Sequence, residues 1–350
     1  MSEKVSASAA PEPAPVLAGV GFTVPQVIAP GCLRRLVTVQ PGMCGPIQSL
    51  AGRVGDWTWE AVSAACGIEV AGARDACGVP SYLAYCYFRI ASAGDFDPRR
   101  LTFGDRLEVV SQVYRAGPLL VLTVHRIRRA EDEDEEPGEA VPFGPAELHR
   151  APRADCFYVE TLNVWLSRST AGSNAALVQS APAGFTSAHL PEIEPAYSPR
   201  ALCADVRGRH SFPDQDSEPW QPVPPGLDLD HPVDLTRDVN GAGLVYFASF
   251  FSIAESAQLM HWRDQGRDNQ AFLDRVVEDA RICYLGNADL DSTLRLRLRL
   301  SRHRQDQALE KTAITIKDLA TDRVIAVGEF RHRTGSSRPT TQKPGRGERG

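Results

Sequence analysis

Strict alternation of apolar and polar positions marks one stretch above all. Between Thr293 and Leu300, Leu294, Leu296, Leu298 and Leu300 alternate with Arg295, Arg297 and Arg299. That is the period of a strand with one buried and one wet face. Looser β-rich runs occupy 34–40, 82–90, 105–114, 119–129 and 156–166, and Ala116-Gly117-Pro118 signals a turn between two of them. Further strands are expected at 282–285, 292–303, 308–318 and 323–333. Helical spacing appears twice. Asp56 caps a helix carrying Trp57, Trp59, Ala61, Val62 and Ala65, which Gly67 stops. Tyr246, Phe247, Phe250, Ile253, Ala254 and Ala257 begin a second helix, expected to reach about residue 280 with Trp262 and Phe272 on its apolar side.

Both helices stand at the same place in one recurring order: β entry, loop, helix, four strands. The pattern therefore repeats although the letters do not. Units at 31–190 and 233–333 follow, joined across 191–232, where Pro, Asp and Ser are dense and a surface linker is expected. The leader, 1–30, and the tail, 334–350, lack periodicity and are expected to be disordered.

Composition narrows the class. The 350 residues are 43% hydrophobic and 23% charged, ordinary for a globular protein that buries a substantial core. No apolar run approaches the ~18 residues of a membrane helix, and the leader lacks the basic start and apolar core of a secretory signal. A net charge of −6 argues against general nucleic-acid binding. The eight cysteines form no Cys-x-x-Cys pair, so neither a zinc site nor a disulfide framework is expected, and cytoplasm is the natural compartment. The histidines do not cluster at metal spacing, no Gly-x-Ser-x-Gly or His-Glu-x-x-His occurs, and the acidic run 131–136 reads as a solvated loop.

Candidate chemistry lies just before the second helix, in Arg-Asp-Val-Asn-Gly-Ala-Gly-Leu-Val-Tyr-Phe at 237–247. Asp238 and Asn240 lead into Gly241 and Gly243, which permit left-handed backbone and close approach of a ligand. Backbone N–H groups at such a helix entrance suit a thioester oxygen developing negative charge. On local pattern alone, a helix that merely follows a Gly-rich loop fits as well.

The same residues resemble the entrance to the central helix of hot-dog fold thioesterases, which reads Asp-x-Asp-x-Ala-Gly-Ile-Val followed by an aromatic pair. Asp238, Ala242, Gly243, Leu244, Val245, Tyr246 and Phe247 match that pattern, but Asn240 stands where those enzymes have their catalytic aspartate. An amide donates hydrogen bonds and is no general base. The Asn-Gly-x-Gly-Leu-x-Tyr-Phe version is similar to the double hot-dog acyltransferase/decarboxylase family of leinamycin polyketide biosynthesis, over about residues 35–333. This resemblance implies an α+β double hot-dog, two helices each wrapped by a curved antiparallel sheet. It also implies a coenzyme A thioester as substrate, with no further cofactor, and an acyl carrier protein as partner. A tyrosine opening the strand after the first helix is the acyl acceptor in that family. Here the role falls on Tyr82, with Tyr85 as runner-up. Asn240, Gly241 and Gly243 would steady the oxyanion or enolate; Tyr85, Asn163, Trp165, Arg168, Asp238 and Tyr246 are expected on the substrate. A hydrolase using Asp238 or Glu255, or a non-catalytic acyl-binding module, are the competing readings. By pattern, Glu255 is a solvent-facing helix residue. A monomer with an internal pseudo-dimer and a homodimer are both compatible with the repeat.

Overall fold

The computed structural model describes residues 24–92, 94, 96–130, 142–214 and 219–335. The first half contains β1 (Gln26–Ala29), β2 (Cys32–Thr38), α1 (Ile47–Cys66), β3 (Tyr82–Ser92), β4 (Arg106–Gly117), β5 (Leu120–Arg129), α2 (Pro145–Arg150), β6 (Cys156–Arg168) and β7 (Leu177–Gln179). The second contains α3 (Arg200–Arg209), β8 (Trp220–Pro232), α4 (Ser249–Asp264), α5 (Asn269–Leu273), β9 (Val276–Tyr284), β10 (Thr293–His303), β11 (Leu309–Asp318) and β12 (Arg323–Arg333).

One antiparallel sheet runs β1-β2-β4-β5-β6-β3-β9-β12-β11-β10-β8, with β7 added beside β6. The order 2-4-5-6-3 returns reversed as 9-12-11-10-8, the signature of two equivalent units joined edge to edge. The seam is the β3–β9 pair, where Tyr87 faces Cys283, Arg89 faces Arg281 and Ala91 faces Asp279. Arg89 and Arg281 thus meet at the pseudo-twofold axis, a like-charge pair that would cost stability unless neutralised. Each has its own carboxylate: Asp279 accepts from Arg89 and Glu329 from Arg281. Joining the units in this way leaves no open edge at the seam.

Both helices pack on the same side of this sheet and share one core. Trp57, Phe88, Phe251, Ile282, Ile316 and Phe330 are all fully buried in a single cluster drawn from both units. Phe251 of α4 meets Phe88 edge-on at 5.4 Å and Phe330 at 6.3 Å. The alternation in β10 appears as expected: its leucines are buried and Arg295, Arg297 and Arg299 are exposed.

Several boundaries differ from expectation. The first helix begins at Ile47, not Asp56, because Leu50, Ala51 and Val54 continue its buried stripe through glycines that read as loop. Gly67 ends it in the left-handed conformation. The second helix stops at Asp264, where Gly266 is also left-handed; α5 intervenes and β9 starts at Val276. Residues 26–29, expected in the leader, form β1 beside β2. The stretch 191–232, expected to be linker, carries α3 and the thirteen-residue β8. Prolines hid β8. They lack a ladder donor, and β8 tolerates Pro222, Pro224 and Pro225 because it lies last in the sheet, paired only with β10. α3 covers the outer face of the seam, with Val206 buried beside Tyr87 and Cys283. The acidic run 131–136, most of the leader and most of the tail lie outside the described residues.

Candidate active site

Beyond Tyr87 and Cys283 the two strands of the seam diverge, since Tyr284 pairs only with Ala326 of β12. A cavity of about 1080 Å³ opens in the fork. Its walls come from α1 (Gly55, Asp56, Trp59), the start of β3 (82–86), the turn before α4 (Asn240, Gly241, Ala242, then 244–247) and the end of β9 (284–287). That volume lies at the upper end of ordinary ligand sites.

Local folding explains how the turn reaches this place. Asp238 is completely buried at its base, where Oδ2 accepts from the Asp234 N–H at 2.9 Å and lies 2.7 Å from His231 Nε2, and Oδ1 accepts from Arg237 at 2.9 Å. Burial alone would raise this carboxyl, but its hydrogen bonds prevail and hold it below the usual carboxylate range. Asn240 Oδ1 accepts from the Ala242 and Leu244 N–H groups, 3.0 and 3.1 Å, closing an Asx-type turn. Gly243 occupies the left-handed region, φ 70°. Its N–H donates to Asn240 O at 2.9 Å. It is therefore not the ligand donor expected of it, because it closes the turn. Asn240 Nδ2 and the Gly241 N–H, by contrast, have no partner among the described residues, and both residues line the cavity.

Arg168, at the end of β6, links this turn to Tyr82. Its Nη1 donates to Tyr82 Oη at 2.9 Å, its Nη2 to Ala242 O at 2.7 Å and its Nε to Asn174 Oδ1 at 2.9 Å. Asn174 in turn donates to Gly243 O and Ala288 O at 2.8 and 3.0 Å. One guanidinium thus fixes the phenol against the backbone of the Asn240 turn, five donors held in a rigid plane.

Tyr82 and Tyr85 occupy different environments. Tyr82 is half-buried, with its hydroxyl on the cavity. Tyr85 is 7% exposed, stacks on Phe247 at 4.0 Å and donates to Gly55 O at 3.0 Å. Burial, reinforced by Tyr246, pushes its hydroxyl well above the ordinary tyrosine range. A phenol so placed holds the wall together. Gly55 makes the stacking possible: a Cβ there would lie 2.3 Å from Phe247 Cζ. Tyr246 lines the cavity near Asp56, its hydroxyl pushed up to about 12, first by burial and then by that carboxylate.

Three expected substrate contacts lie elsewhere. Trp165 is fully buried with Leu83 and Val62 in a separate cluster, because alternation along β6 turns it to the far end of α1. Asn163 is fully buried opposite Tyr85 in the ladder, behind the wall rather than on it. Asp238 braces the turn from beneath. Glu255 is not solvent-facing, since its side chain is 14% exposed and lies 4.0 Å from Arg99.

Other cavity residues gave no sequence signal. Asp56, assigned only to a helix cap, sits mid-helix and brings a carboxylate to the wall, raised by burial despite Arg53. Asn287 clamps the turn by accepting from the Val245 N–H and donating to Val245 O, 3.1 and 2.9 Å. Among the described residues no cluster could hold a metal ion and no helix is long and apolar enough to cross a membrane.

Two helices wrapped by one continuous antiparallel sheet, with a cavity at the fork of the seam, define a double hot-dog. The chain belongs to the family described as LnmK N-terminal hot dog fold domain, which it matches over residues 34–214, just over half its length. Among solved structures it is similar to an acyl-ACP thioesterase from Bacteroides thetaiotaomicron, 9% identical with a TM-score of 0.50, covering 87% of this chain and 98% of that one. A protein described as an oleoyl thioesterase from Lactobacillus plantarum is 13% identical with a TM-score of 0.54, covering 87% and 95%. At such identities the likeness concerns the fold alone. No curated protein matches the sequence.

Proposed function

We propose that this protein is an acyltransferase that takes an acyl group from coenzyme A and passes it to an acyl carrier protein, with decarboxylation of a (methyl)malonyl group on the way. The observation that carries this reading is the bridge built by Arg168, which places Tyr82 Oη and the Asn240 turn on one cavity wall. Membership of the LnmK family supports it.

The thioester carbonyl faces Asn240 Nδ2 and the Gly241 N–H. Tyr82 Oη attacks the carbonyl carbon; the C–S bond breaks and the thiol of coenzyme A leaves with the phenol proton. Arg168 stabilises the charge that develops on the phenol oxygen. The carrier thiol then attacks the aryl ester, and its proton returns to Tyr82. Decarboxylation breaks the bond to the carboxylate, whose electron pair becomes an enolate at the same donors before the α-carbon takes up a proton. That step needs charge stabilisation rather than a base. The reaction belongs to polyketide assembly in the cytoplasm.

A second reading, hydrolysis, has one observation in its favour: Asp56 brings a carboxylate to the cavity and could activate water. The two readings separate on incubating the protein with methylmalonyl-CoA and carrier protein. Transfer predicts that Tyr82→Phe abolishes carrier acylation while Asp56→Asn retains it. Release of free acid by Tyr82→Phe at the wild-type rate, lost in Asp56→Asn, would favour hydrolysis.

A further inference from the structure

A second hollow, about 810 Å³, lies on the outer face of the C-terminal sheet beside α3. It shares Arg207, Leu285 and Arg323 with the wall of the acyl cavity, so the two spaces adjoin at these side chains. Five cations line it, namely Arg207, Arg295, Arg297, Lys317 and Arg323, against one acid, Asp322.

How that charge is balanced decides what the groove can hold. Arg295 is matched by Asp230 at 2.8 Å, and Arg297 more loosely by Asp228 at 3.5 Å, with both acids on β8 outside the groove. Asp322 pairs with Lys317. Arg207 and Arg323 have no carboxylate partner among the described residues; each donates only to a main-chain carbonyl, Leu285 O at 3.2 Å and Ala175 O. Their charges stand uncompensated where the two spaces meet. In addition Arg295 faces Lys317 directly across the β10–β11 ladder, a like-charge pair that destabilises a sheet. Guanidinium groups are shaped for phosphate oxygens. An apolar cavity adjoining a phosphate-shaped cationic groove fits a ligand with an acyl head and a polyanionic end.

We propose that this groove holds the phosphates of the 3′-phosphoadenosine diphosphate end of coenzyme A, with its pantetheine arm passing between Arg207 and Arg323 into the acyl cavity. The assignment rests on the reading of acyl-CoA as substrate. An acidic surface of a carrier protein is the other anion such a groove could meet. Nucleotide is favoured because the uncompensated pair sits at the cavity rim rather than across the open sheet.

Isothermal titration of the intact protein with adenosine 3′,5′-bisphosphate tests this without requiring turnover. Wild-type protein should bind it, less tightly as salt rises. Arg297→Gln with Lys317→Gln should weaken binding about tenfold or more, two charge-assisted contacts being removed. Asp322→Asn should tighten it severalfold; Asn tolerates the left-handed backbone at that position, φ 56°. Opposite signs from two surface changes exclude a general loss of folding. No binding, or equal affinity in all three proteins, overturns the proposal. So does slowed transfer to carrier protein with bisphosphate affinity unmoved, which would make the groove a docking face. An unmodified Tyr82 would count against the transferase reading and leave this titration unaffected.

Discussion

The two ends of the β3–β9 seam are equivalent in topology and opposite in content. At one end, the start of β3 and the end of β9 diverge around the cavity that holds Tyr82, Asn240 and Asp56. At the other, the start of β9 and the end of β3 diverge around buried charged side chains. Arg275 is 4% exposed, donates to Gln258 Oε1 at 3.1 Å and to Phe272 O at 3.0 Å, and stacks on the Phe272 ring at 3.6 Å. Glu255, 4.0 Å from Arg99, is attracted by both arginines, and His332 is buried in the same field. Burial, then Arg99, pushes Arg275 down to about 9, so it stays charged at neutral pH. A repeat that builds two forks has filled one and left one open. The fold supplies the fork, and side chains decide whether it is a site.

Emptying the filled end should have the largest effect. Arg275→Ala leaves buried Glu255 with Arg99 at 4.0 Å and strips Gln258 Oε1 of its donor, and is expected to cost about 3–5 kcal/mol, read from urea unfolding. A loss under 1 kcal/mol would mean the cluster does not hold that end of the seam. At the open end, Asn240→Asp keeps the oxygen that closes the turn but removes the Nδ2 donor, and should lower kcat for transfer about 10²–10³-fold with unfolding little changed. An unaltered kcat would remove Asn240 from the oxyanion site. Next in size, Gly55→Ala drives a methyl into Phe247 and should cost about 1–3 kcal/mol, again by urea, with a raised KM as the wall shifts. Equal stability would show that Phe247 can move aside freely.

The smallest effect concerns a buried histidine of the first unit. His125 lies 2.8 Å from Ser111 Oγ and 2.9 Å from Thr58 Oγ1, and burial pushes it down to about 3. Its folded pKa is below the unfolded value of about 6.5, so its contribution is present above pH ~6.5 and is lost as pH falls toward 3. Between pH 6.5 and 5.5 that amounts to about 1 kcal/mol. His125→Gln should flatten the pH dependence of stability by that much; an unchanged slope would contradict it.

What could be read from the sequence follows a physical division. The β10 alternation, the turn at 238–247 and Tyr82 at the head of a strand are local patterns, and local sequence carries them. Asp56 reaches the cavity only because α1 extends back to Ile47, which depends on Gly55 accepting Phe247 from the other unit. Arg207 reaches the rim only because α3, built from residues that read as linker, packs on the outer face of the seam. Asn174 and Asn287 act by clamping backbone distant in the chain. Trp165 and Asn163 were expected at the site because β6 passes it, yet the pleat turns them elsewhere. Such contacts are tertiary and have no periodicity to betray them.

Peptide mass spectrometry after brief incubation with methylmalonyl-CoA bears most directly on the open fork as an acyl-transfer site. The expected result is an acyl mass increase on the peptide carrying Tyr82, absent in Tyr82→Phe and discharged when carrier protein is added. Efficient carrier acylation with Tyr82 unmodified at every time point would contradict it.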